Sequence, residues 1–170
     1  LTPDFVPDEF VGEELVRGYG WANDNRLIYV MDKGGNEDYH LFAVDVDGSN
    51  GKELTPYDGV KVNILASLKE DKDHMIISMN KNNPQVFDPY KINIVSGEVE
   101  QLYENTDIEN PIMGYEFDKD GNLRGFARLK DGINTELYYA VDPGDYQLMK
   151  TMKWDDNFSI LSFNYATEEQ

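Results

Sequence analysis

The chain has 170 residues, 33 acidic against 15 basic side chains, a net charge of −18, and no cysteine. Nucleic acid and anionic membranes are excluded as partners by that balance, since both need clustered lysine and arginine. The acids scatter through turns and read as solvated surface, although an acidic cavity would attract cations.

Disulfides and thiol chemistry are excluded, and cytoplasm and periplasm both stay open. No apolar run approaches the ~18–20 residues a membrane helix needs, and no basic start with an apolar core reads as a signal peptide.

The first predicted strand is Gly18-Tyr19-Gly20-Trp21-Ala22, which turns at Asn23-Asp24-Asn25 into the apolar run Leu27–Met31. A loop over Asp32–Asp38 leads to a strand over His40–Asp45. Asp47-Gly48-Ser49-Asn50-Gly51 then supplies positive-φ turn residues ahead of Glu53-Leu54-Thr55. The pattern repeats with Ile64–Leu68, Met75–Met79 and Tyr90–Val95, turning at Ser96-Gly97. It repeats again with Met113–Phe117, Leu123–Leu129, Glu136–Val141 and a strand around Leu148. No stretch sustains apolar spacing at three and four residues, so few helices are expected.

The three passes share one spacing. Trp21, Leu68 and Phe117 mark the first strand of each unit, 47 and 49 residues apart. Val44, Val95 and Val141 mark the third strand, at 51 and 46, and Leu54, Leu102 and Leu148 the fourth, at 48 and 46. A four-stranded repeat of ~40–50 residues is the signature of a β-propeller blade. The expected fold is all-β, a partial propeller with blades over about 18–56, 64–104 and 112–152. Leu1-Thr2-Pro3 matches Leu54-Thr55-Pro56, and Ile160–Tyr165 matches Ile112–Phe117, so 160–170 reads as the start of a fourth blade. The chain then reads, over 1–170, as an internal slice of a longer propeller, whose uncovered end blades favour self-association. Trp21, Leu68 and Phe117 are expected between neighbouring sheets, where Trp21→Ala would cost ~3–5 kcal/mol.

The wording of the repeat carries a resemblance over residues 18–165. Trp21-Ala22-Asn23-Asp24-Asn25-Arg26-Leu27 resembles the W-S-P-D-G-x-x-L turn of TolB-like propeller repeats, and Asp45-Val46-Asp47-Gly48 with Glu53-Leu54-Thr55 resembles their closing turn. Asn25 stands where glycine is usual, a substitution that asparagine's tolerance of left-handed geometry permits. Asn83-Pro84-Gln85-Val86-Phe87-Asp88-Pro89-Tyr90 is similar to the stretch joining strands two and three in propellers of the prolyl oligopeptidase family of serine peptidases. The resemblance implies a propeller that admits short peptides to a Ser-Asp-His hydrolase domain lying outside this chain. Its implied partners are that domain, the remaining blades and peptide substrates, and no cofactor is implied. The alternative is a TolB-like protein-binding propeller attached to no enzyme.

No catalytic, cofactor or metal residue is assigned. Ser49 follows Gly48 directly in a hairpin turn and does not form the G-x-S-x-G nucleophile elbow. His40 and His74 are too few and too differently placed for a metal site. The turns at Asp45-Val46-Asp47 and Asp118-Lys119-Asp120-Gly121-Asn122 lack the glycine and glutamate that a helix-loop-helix calcium loop needs. Glu13-Glu14 resembles the paired glutamates of dipeptidyl peptidases but lacks their aromatic neighbours. Tyr19, Tyr39, Tyr57, Tyr90 and Tyr115 are candidates to line a peptide channel or, as common strand residues, to build the sheets. A sugar-active propeller is disfavoured, since the arginines are only Arg17, Arg26, Arg124 and Arg128.

Overall fold

The computed structural model describes residues 16–156. The expectations for Leu1-Thr2-Pro3, for Glu13-Glu14 and for residues 160–170 lie outside them. The described residues form twelve strands and no helix. They run β1 (Val16–Trp21), β2 (Arg26–Met31), β3 (His40–Asp45), β4 (Lys52–Glu53), β5 (Val62–Ser67), β6 (His74–Met79), β7 (Asp88–Asn93), β8 (Val99–Gln101), β9 (Ile112–Phe117), β10 (Leu123–Lys130), β11 (Asn134–Tyr139) and β12 (Gln147–Met152). They pair as three four-stranded antiparallel meanders in sequence order, β1–β4, β5–β8 and β9–β12. Each meander is a propeller blade, so the architecture is a partial β-propeller, short of the four to eight blades that close a ring.

The chain divides after Asn105 into two compact units. In the first, two sheets pack face to face. Because side chains alternate across a strand, Ile28, Leu41 and Ala43 of the first sheet share one face, and Met75, Ile77, Met79, Tyr90 and Ile92 of the second share another. These faces merge into a single buried cluster, with Leu54, Val60 and Val62 from the connecting segment and Ile94 just past β7. Gly97, at φ +77°, is required in the turn after β7, because a Cβ there would lie 2.9 Å from the Leu54 carbonyl oxygen. In the second unit Phe126 stacks on Tyr138 with ring centroids 4.9 Å apart and meets Tyr146 at 5.1 Å.

Turn chemistry follows the sequence closely. Gly48, Asn50, Gly97 and Gly121 all take positive φ. Asn25 does not, so its turn needs no left-handed residue; it is held instead by the Asn23 side chain, which accepts from Asn25 N–H at 2.9 Å. The third strands of the second and third sheets begin and end two residues earlier than expected. Val95 and Val141 therefore lie beyond them, exposed.

One packing expectation is overturned. Leu68 is buried and Phe117 half-buried, but Trp21 is 59% exposed. Ladder register is the reason. Trp21 pairs with Leu27, while the neighbouring pair Gly20–Ile28 carries the side chain that enters the core, so Trp21 points to the opposite face. The other two anchors are not register equivalents of it. A bulge between Ile64 and Ala66 puts Leu68 beyond the β5–β6 ladder, and Phe117 pairs with the first residue of β10. Trp21→Ala is accordingly expected to change stability by less than about 1 kcal/mol, whereas Ile77→Ala, in the cluster, costs about 2–5 kcal/mol. Urea unfolding of the two variants checks the contrast.

Candidate functional site

Two concave regions lie in the first unit. One has a volume of about 380 Å³ and is walled by Lys33, Asp38, His40, Glu53, Pro56 and Asp58. Its residues come from the β2–β3 loop, the start of β3, the end of β4 and the connection to β5. Gly34, Gly35 and Glu37 all take positive φ in the loop, and Asp38 N–H closes it onto the Asn36 side chain at 3.0 Å. Phe42 pairs with Glu53 across the β3–β4 ladder. The Leu41 N–H then donates to Thr55 Oγ1 at 2.8 Å, fixing the chain on the far side of Glu53.

Glu53 is thereby held between two basic groups. His40 Nδ1 lies 2.5 Å from its Oε1 and Lys33 Nζ 2.6 Å from its Oε2. Partial burial alone would raise the pKa of this carboxyl, but the Lys33 and His40 contacts outweigh it and hold the group below the usual glutamate range. An ionised carboxylate only accepts, so His40 donates from Nδ1, and in the neutral ring Nε2 keeps its lone pair. That Nε2 is buried and without a hydrogen-bond partner, and His40 is 7% exposed.

The second concavity, about 520 Å³, lies along the seam of the two packed sheets and is built around Arg26. Its guanidinium is committed: Nε donates to Ile94 O at 2.7 Å, Nη1 meets Asp45 Oδ1 at 2.5 Å, and Nη2 donates to Asn50 O at 3.2 Å. Hydrogen bonds from Asn50, then from Arg26, lower the pKa of Asp45. Lys52 Nζ donates across the seam to Ser96 O at 2.7 Å. This region is a clasp between blades, and its polar atoms serve the fold.

The residues singled out from sequence are mostly spent in turns. Ser49 donates to Asp47 Oδ1 at 2.6 Å. Asp118 accepts from the backbone of Asp120 and Asn122 and from Arg124. His74 Nδ1 sits 2.9 Å from Asp71, in a different sheet from His40. Among the tyrosines, Tyr19 is fully presented to solvent and Tyr39, Tyr57 and Tyr115 are half-buried. Tyr90 departs from the expectation of exposure: it is 3% exposed, and burial pushes its hydroxyl up to about 12. Its register beside Ile77 puts it on the core-facing side of β7.

Two residues were missed. The hairpin turn at Asp47-Gly48 sets residues 42 and 53 opposite each other, and counting outward from it would have brought Glu53 near His40. Asp88, first in β7, is fully buried. Its Oδ1 accepts from Asn105 N–H at 2.7 Å, and its Oδ2 from Asn82 at 3.1 Å and Gln101 at 3.2 Å. Those bonds fasten the β6–β7 loop and the segment after β8 to one carboxylate. Asp88→Ala leaves a buried N–H unsatisfied and is expected to cost about 2–3 kcal/mol in chemical denaturation.

Asp71 sets a pH dependence. Hydrogen bonds from Lys91, then His74, lower its pKa to about 2. Its folded value lies below the unfolded value of about 3.9, so the stability it contributes is present above that value and is lost as pH falls toward about 2. Asp71→Asn is expected to be less stable than the parent at neutral pH, with the difference shrinking below about pH 4. Paired urea titrations across that range check the sign.

No protein-family model matches the chain. It is similar to the dipeptidyl aminopeptidase BIII of Pseudoxanthomonas mexicana, with 33% identity over 142 residues, which is 83% of this chain and 20% of that protein. The chain spans about a fifth of the length of the curated relative it matches. An all-β segment built of propeller-type sheets thus has a peptidase homologue.

Proposed function

We propose that the chain is a non-catalytic propeller segment of a serine peptidase of the prolyl oligopeptidase type, with TolB-like blades that limit which peptides reach a hydrolase domain and hold that domain in place. The observation that carries the reading is the match to a dipeptidyl aminopeptidase along 83% of the chain, in a region folded as successive four-stranded meanders. A matched length of one fifth of the relative suits one part of a larger enzyme. Several features agree with a scaffolding role. The histidines are engaged with carboxylates, Ser49 is engaged with Asp47, and neither histidine has a serine among its hydrogen-bond partners, as an activated nucleophile requires.

The test is direct labelling. The purified chain should not react with a fluorophosphonate probe and should not release product from chromogenic dipeptide substrates. Covalent labelling abolished by replacing a single serine would overturn the non-catalytic assignment. For gating, the full-length protein with its sheet-seam clasp broken by Arg26→Ala should cleave longer peptides faster relative to dipeptide substrates. An unchanged length preference would remove the gating role.

A further inference from the structure

The cavity at the end of the first sheet has features that the scaffolding role leaves unused. Its charge is unbalanced: Asp38, Glu53 and Asp58 face one lysine, and that lysine, Lys33, is engaged with Glu53. The Asp58 carboxylate has no hydrogen-bond or ion-pair partner among the described residues and is exposed. Asp38 is half-buried and accepts from the Asn36 side chain at 3.2 Å. The independent observation is His40, which is more than nine-tenths buried in the cavity wall with Nε2 unpartnered. Buried polar atoms are almost always hydrogen-bonded, so an orphan acceptor in the wall of a cavity points to a donor that enters it. The Glu53 carboxylate fixes the ring so that this nitrogen, in the neutral imidazole, is the one offering a lone pair.

We propose that this cavity binds a primary alkylammonium group, of the kind carried by a lysine side chain. Asp38 and Asp58 supply the charge, and one N–H of the ammonium donates to His40 Nε2. An ammonium matches both features at once, having positive charge and three donors. A quaternary ammonium offers the charge alone. The three carboxylates and the histidine do not form a metal-type cluster among the described residues, which leaves an organic cation as the species that fits. The proposal does not rest on the peptidase reading, because it concerns only residues 33–59.

The chain contains only two histidines, which gives the test an internal control. The whole chain is titrated with n-butylammonium and, separately, with tetramethylammonium at equal ionic strength, while the imidazole resonances of His40 and His74 are followed by NMR; a His74→Gln variant assigns them. The expected result is a saturable shift at His40, none at His74, and no saturation with tetramethylammonium. Asp58→Asn, at an exposed position where folding is not at risk, should weaken the affinity by about two- to fivefold, the range for one exposed charge pair. No saturable His40 shift, an equal shift at both histidines, or an equal response to the quaternary ion would overturn the proposal. Unchanged affinity in the Asp38→Asn/Asp58→Asn double variant would overturn it as well.

Discussion

A four-stranded meander has two faces and can cover neither by itself, and the rest of this structure follows from that constraint. Strands β6 and β7 show it most clearly: Met75, Ile76, Ile77 and Met79 are all buried, as are Tyr90 and Ile92. The free energy of the first unit comes from joining one face of its second sheet to one face of its first, with Leu54, Val60 and Val62 filling the junction. The connecting segment is therefore core and carries little of the freedom usual in a loop. Gly97 is confined by the same closeness, since the next blade's turn runs against the Leu54 backbone.

Apolar packing between two twisted sheets is not strongly directional, and the polar contacts supply the alignment. Arg26 reaches from β2 of the first sheet to the Ile94 carbonyl of the second while Asp45 and Asn50 fix its other end. Asn23 and Lys52 donate across the same seam to Lys72 O and Ser96 O. Every acceptor on the second sheet is a backbone carbonyl, so the alignment is keyed to main-chain position and does not depend on which side chains the second sheet carries. Asp88 does related work inside one blade, where a buried carboxylate holds three separate segments in place.

The cavity around His40 is a by-product of the same construction that became chemically distinct. It opens where the β2–β3 loop and the connection between sheets diverge, and an antiparallel hairpin delivers Glu53 to His40. Structural needs alone would favour an apolar residue at a position as buried as His40. An imidazole there, held by an ionised glutamate and bare on its other nitrogen, is a feature that packing does not call for.

The blade repeat, the strand order, the positive-φ turns and the lack of helix were all legible in the sequence, because each depends on local period and turn chemistry. The resemblance carried by residues 83–93 pointed to a peptidase relative, and a dipeptidyl aminopeptidase is what the chain matches. Trp21 shows where that legibility ends. Its spacing from Leu68 and Phe117 was right for the strand, but a one-residue difference in ladder register turns a side chain to the other face, and bulges in β5 and β9 break the equivalence. Tyr90 ended up in the core for the same reason. The pairing of His40 with Glu53 and the Arg26 clasp join residues 13 and 68 positions apart in the chain. Only the tertiary structure decided those, because a hydrogen bond between distant residues depends on how strands align and sheets pack, and neither leaves a period in the sequence.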